Sequence, residues 1–169
     1  MYDDQREFSD RFIPEIKAIL GAHLISTAPA HEDKHHATDL IISLGETRVA
    51  CRMRKHPYWL KYRRDFTIRG PRGGLGTELP KIAAGWGDFM FYGFACPDER
   101  AVFAWTLADL KVFRRGIHED PGLVRVPVPN YDGTCFYPFR WGSFAPAFIV
   151  ARGGPWPTVT PKAAQGSLF

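Results

Sequence analysis

The sequence predicts an α/β protein: one domain with a mixed central sheet flanked by helices, carrying a loop-rich C-terminal extension. Three observations predict it. Residues 7–25 space their apolar side chains three and four apart, the period of a helix with one buried face. Asp88 to Cys96 is almost continuously apolar and aromatic, the pattern of a strand covered on both sides. Strand-like and helix-like runs alternate between them, an order that builds a sheet with crossover helices. A chain of 169 residues suits one domain with a substantial core. The domain is read as residues 1–150, followed by an extended Pro- and Gly-rich tail over 151–169.

The first helix presents Phe8, Phe12, Ile16, Ile19, Leu20 and Leu24 on one stripe, with Pro14 tolerated near its first turn. Residues 26–37 are polar and read as a loop. Thr38 to Leu44 and Thr47 to Met53 read as two strands of a hairpin turned at Gly45-Glu46, which sets Asp39 roughly opposite Arg52. Alternation then puts Val49, Cys51 and Met53 on one face and Ala50, Arg52 and Arg54 on the other. His56 to Arg64 reads as irregular, Phe66 to Arg69 as a third strand, and Gly70 to Gly76 as a glycine-rich loop. Thr77 is placed to cap a short helix over 78–84, with Glu78 at its positive end. Ala101 to Arg115 reads as a strand running into a helix, with Ala104–Leu107 pairing with the strand that begins near Phe89. From Pro121 onward the frequency of Pro and Gly reads as an extended lobe wrapped on the core.

Charge is unevenly spread. Between Arg48 and Arg72 stand nine cations against Asp65 alone, a net +8; the whole chain carries +4, so the remainder sums to −4. The cations are Arg48, Arg52, Arg54, Lys55, Lys61, Arg63, Arg64, Arg69 and Arg72, interleaved with Tyr58, Trp59, Tyr62 and Phe66. Arginine grips phosphate with a forked donor pair, and aromatic rings stack on unpaired bases. Nucleic acid, with DNA favoured over RNA, is therefore the expected partner, and Arg48, Arg52, Arg54, Lys55, Tyr58, Trp59, Lys61, Arg63, Arg64, Arg69 and Arg72 are the expected contacts. A solvated basic surface is the bland alternative.

Other classes are disfavoured. No apolar run reaches the length of a membrane span, and the acidic, polar residues 1–7 do not read as a signal peptide. Cys51, Cys96 and Cys135 show no metal-ligand spacing and fit a reducing cytoplasm. His31, His35 and His36 beside Asp33 match no regular metal motif.

The order of elements, with Asp39 on the second of them, resembles the restriction-endonuclease-like, or PD-(D/E)XK, nuclease fold of phage and bacterial proteins. The resembling segment runs from Asp39 to about Arg115 and includes Phe66-Thr67-Ile68-Arg69, the glycine-rich loop, Gly85-Trp86-Gly87-Asp88 and the aromatic strand. That resemblance implies metal-assisted phosphodiester hydrolysis. Asp39 would hold magnesium with Glu15 or Glu78, Lys81 would support the attacking water, and Arg52 and Arg54 would neutralise phosphate charge. The Glu-x-Lys expected on the next strand is absent, and Arg52-Met53-Arg54 stands there. Either the site has migrated to Glu78 and Lys81, or the chain is a non-catalytic binding or inhibitor module on the same fold. Asp39 has a structural alternative as well, an ion pair with Arg52. A weaker alternative is an enzyme acting on a small phosphorylated ligand through the Gly70–Gly76 loop.

The last five residues, Gln165-Gly166-Ser167-Leu168-Phe169, resemble the peptide by which bacterial replication and repair proteins dock into the sliding clamp. In that reading Leu168 and Phe169 fill an apolar pocket while Gln165 and Ser167 bond at its rim.

Overall fold

A computed structural model describes residues 7–27, 40–42, 47–70, 78–130 and 133–156. The chain is an α/β single domain with a mixed four-stranded sheet, a small antiparallel sheet and several helices. A helical turn over residues 7–10 leads into α1 (Ile13–Leu24), whose first turn accommodates Pro14. Two short strands follow, β1 (Ile25–Thr27) and β2 (Leu40–Ile42), paired antiparallel with Ile25 opposite Ile42. The central sheet has the order β3 (Val49–Arg54), β5 (Phe89–Ala95), β6 (Val102–Asp109), β9 (Ile149–Gly153). Its first pair is parallel and the other two are antiparallel. Between β3 and β5 the chain forms α2 (His56–Tyr62), β4 (Asp65–Arg69) and α3 (Glu78–Ala83). After β6 come α4 (Leu110–Glu119), β7 (Val128–Pro129) and β8 (Cys135–Arg140), with β8 the middle strand of the second sheet.

The aromatic run behaves as its composition dictates. Met90, Phe91, Tyr92, Phe94 and Ala95 of β5 are all essentially inaccessible, because β3 and β6 take both its edges and other elements cover both its faces. Beneath one face Phe12, in the turn before α1, and Ile16 of α1 pack against Met53, Phe91 and Ala95. Over the other face lies a larger aromatic core of Phe66, Phe94, Phe113, Phe139, Trp141 and Phe148, joined by Trp59, Leu79 and Ile82. Gly93 is required at the first interface, since a side chain there would collide with Met53 and Phe91. Asp109 caps α4 by accepting hydrogen bonds from the backbone N–H groups of Lys111 and Val112, at 2.7 and 3.1 Å.

Four expectations change. The hairpin does not form as drawn: β2 pairs with β1, and β3 takes β5 as its partner. Ile25, read as the end of the first helix, and Ser26-Thr27, read as the start of a polar loop, supply the extended partner instead. His56 to Tyr62 is a helix rather than irregular, with Pro57 in its first turn, where a missing N–H costs nothing, and Trp59 buried beneath it. The C-terminal third contributes three strands and not only loops; Pro138 is tolerated in β8 because β7 extends only as far as Phe136, leaving that side an open edge. Finally, β9 completes the central sheet, so residue 150 falls inside a core strand, and the chain packs on the core as far as Trp156. Gly154 makes that last turn with φ +92, in the left-handed region.

Candidate functional site

Strand alternation sorts the basic segment into two groups. On β3, Val49, Cys51 and Met53 face α1, as their spacing predicts. Arg52 and Arg54 face the other way, toward the space between the two sheets. Arg54 is held on three sides. Its Nε donates to Tyr92 Oη (3.2 Å), its Nη2 donates to Thr67 Oγ1 (2.9 Å), and its guanidinium lies 5.1 Å from the ring centre of Tyr58. Arg52 forms an ion pair with Glu78, with a side chain only 16% exposed, and the same carboxylate oxygen accepts the backbone N–H of Arg69 at 3.0 Å. Burial pulls the Arg52 guanidinium below its ordinary value, and Glu78 opposes that pull.

The surface group is carried by α2 and the residues that flank it. Lys55, Tyr58, Leu60, Lys61, Tyr62 and Arg64 are exposed, and Arg63 is half-buried. Between Lys55 and Arg64 stand four cations and no acid. Tyr58 and Tyr62, one helical turn apart and 44% and 40% exposed, stack with centroids 6.1 Å apart, and Lys61 Nζ sits 5.2 Å from the Tyr62 ring centre. Lys55 is partly neutralised by Glu99 at 3.1 Å. Trp59 belongs elsewhere: it is 5% exposed and packed edge-on against Phe94, Phe103 and Trp156, so it offers no face to a base. Before the start of β3, Arg48 is exposed and its guanidinium lies 5.6 Å from the ring centre of Trp86, itself 60% exposed.

The two described acidic candidates, Glu15 and Glu78, are not gathered. Glu15 accepts the backbone N–H of Val102 at 2.9 Å on the α1 side of the sheet, whereas Glu78 lies on the opposite side, engaged with Arg52 and Arg69. Lys81 is exposed on α3, one turn from Glu78. Asp39 lies outside the described residues, as do Arg72, the histidines at 31, 35 and 36, and Gln165, Ser167, Leu168 and Phe169. Among the described residues no group of His, Cys, Asp and Glu is arranged to hold a metal ion. The carboxylates that are described do not fit magnesium: Glu15 and Glu78 are on opposite sides of a sheet, and Glu78 sits between an arginine and a backbone donor. Burial raises the Cys51 thiol, so neither its pKa nor its surroundings suit a nucleophile.

Two features escaped sequence reading. Arg152 on β9 lies in register with Thr106, Tyr92 and Arg52 across the sheet. Its Nε donates to Thr106 Oγ1 (3.2 Å), and its guanidinium lies 4.4 and 5.6 Å from the ring centres of Trp156 and Trp141. Nothing local marks it, because the strand that carries it is hidden among Pro and Gly. Trp86, flanked by two glycines, is not singled out as a site residue by the sequence, and only the fold brings it to Arg48. No helix is long and apolar enough to cross a membrane among the described residues. No family model matches the chain, and neither the curated proteins nor the solved structures contain a match.

Proposed function

We propose that the chain is a nucleic-acid-binding protein of phage or bacterial DNA metabolism, laid out like a restriction-endonuclease-like nuclease and acting as a binding module. The observation that carries this reading is the surface of α2 and its C-terminal flank, where Lys61, Arg63 and Arg64 accompany two exposed tyrosines with no acid between Lys55 and Arg64. Such a surface attracts phosphate through charge and offers rings to bases. Arg48 beside Trp86 repeats the pairing near the other end of β3. What supports the nuclease-like part is a first helix followed by parallel β3 and β5 joined through helices, while the β1–β2 pair stands as a sheet of its own. Binding is favoured over hydrolysis because arginines 52 and 54 stand where the resemblance expects a metal-binding Glu-x-Lys, and Glu78 is committed to Arg52.

The test is anisotropy binding of labelled DNA across a salt series, with and without magnesium, each sample then resolved on a gel. Salt-sensitive binding without cutting is the expected result. Magnesium-dependent cutting that Asp39→Ala abolishes would replace it with the nuclease reading, in which Asp39, Glu78 and Lys81 act. Salt-insensitive binding of a small phosphorylated ligand in place of DNA would move the function to Arg69, Arg72 and the glycine-rich loop. The tail is proposed to dock on the bacterial sliding clamp. Pull-down of the clamp by the full chain, lost on L168A/F169A, is the expected outcome, and equal capture by both proteins removes the tether.

A further inference from the structure

We propose that the α2 surface selects unpaired strands over duplex, with Tyr58 and Tyr62 as a stacking platform; the inference rests on the nucleic-acid reading above. Three observations carry it. The two rings are the exposed aromatic faces of a helix whose third aromatic, Trp59, is buried and anchors it to the core. The platform is therefore seated on a fixed base. Its inner edge is also fixed, since Arg54 lies against Tyr58 while its Nε and Nη2 donate to Tyr92 and Thr67. Its outer edge is adaptable. Lys61 is an exposed, four-carbon cation resting near the Tyr62 ring, and it can swing to a phosphate and leave that ring face to a base.

Chemistry chooses the occupant. Duplex DNA keeps its base faces inside the stack and shows the outside world phosphates and groove edges, so it meets only the charges of this surface. An unpaired strand offers both phosphates and ring faces, and each stacked base adds the equivalent of about 5- to 150-fold in affinity. The composition of the patch, two exposed tyrosines with Lys61 on the same helix and Arg63 and Arg64 just after it, thus matches a polyanion with exposed aromatic faces.

The experiment compares the full chain with Y58L/Y62L and Y58F/Y62F, each shown to be folded by near-UV circular dichroism and thermal denaturation. Probes are a fluorescent mixed-sequence single strand of about 15 nucleotides, within the site sizes typical of such binders, and the same sequence as duplex. The expected result is tighter binding of the single strand by the parent protein. Y58L/Y62L should lose at least about fivefold more affinity for the single strand than for the duplex, and Y58F/Y62F should retain the preference. Equal affinity for single strand and duplex in the parent, or an unaltered preference in Y58L/Y62L, overturns the platform and leaves nucleic-acid binding standing. Absence of binding to either probe overturns both.

Discussion

Replacing Glu78 by alanine separates a structural carboxylate from a catalytic one. Its Oε2 accepts from Arg52 Nη1 and from the backbone N–H of Arg69, so the substitution strands a cation and an amide in a half-buried place. Removing one partner of a fully buried ion pair costs about 3–5 kcal/mol. The Arg52 and Glu78 side chains retain 16% and 26% exposure, which lets water recover part of that loss. A cost of about 2–4 kcal/mol remains once each stranded donor is counted at roughly 1–3 kcal/mol before hydration. For a chain of this size each kcal/mol moves Tm by about 2–4 °C, so a fall of roughly 6–12 °C is expected for a loss near 3 kcal/mol. Urea denaturation followed by tryptophan fluorescence gives the free energy, and a scan gives Tm. The companion variant R52M/E78L removes both charges together and should recover the part due to the stranded cation, because an apolar pair of similar volume needs no hydration, while the Arg69 N–H still loses its Glu78 acceptor. A stability change below about 0.5 kcal/mol for Glu78→Ala would refute the reasoning. So would an increase in stability, the outcome expected if Glu78 were an acid held in place for catalysis at a cost to the fold.

Three further outcomes follow from the geometry. If about four phosphates are neutralised by Arg48, Lys61, Arg63 and Arg64, the logarithm of single-strand affinity should fall with the logarithm of salt at a slope near −3, and K61Q/R64Q should flatten it by about 1.4; a slope indifferent to that pair would exclude those cations. Phe113→Ala should cost about 3–5 kcal/mol by denaturant titration, since the ring is fully buried among Phe66, Phe139, Phe144 and Phe148, and a loss under about 1 kcal/mol would mean the site collapses to fill the void. Burial raises Cys51 above its ordinary 9.0, so the folded chain holds the thiol proton where the unfolded chain releases it. Stability contributed at Cys51 is thus fully present below about pH 9 and declines as pH rises beyond it. The difference between parent and Cys51→Ala, read by urea melts at several pH values, should be constant near neutrality and shrink in alkali. A difference that grows there would reverse the sign of the argument.

Much of the central sheet was legible because its signals are local. Continuous apolarity marked β5, alternation sorted β3 into an α1 face and an arginine face, and the run from β6 into α4 changed period at its cap. The elements that were missed depend on partners distant in sequence. Ile25-Ser26-Thr27 has too few residues to show alternation and becomes a strand by pairing with β2. Residues 135–153 look like loops because Pro and Gly interrupt them, yet Phe139, Trp141 and Phe148 drive them onto the aromatic core. The site divides in the same way. Charge asymmetry is a property of composition and was visible. Which cations turn inward is a property of packing: Arg52 and Arg54 were legible as one face of β3, but not as buried, and Trp59 looked like its neighbours Tyr58 and Tyr62 until the helix period placed it underneath.

The central sheet separates two apolar interiors of unequal extent, and that inequality bears on how the chain opens. The α1 side rests on Phe12, Ile16 and their few neighbours, while the opposite side knits together residues from Trp59 to Trp156. Detaching α1 gives up only the smaller interior and leaves every ladder of the central sheet intact. Native-state amide exchange should therefore divide the protein into two cooperative units, with the α1 amides released by a partial opening and those of β5 only when the whole chain comes apart. The basic surface of α2, anchored through Trp59, belongs to the slower unit, so it persists while the first helix comes and goes.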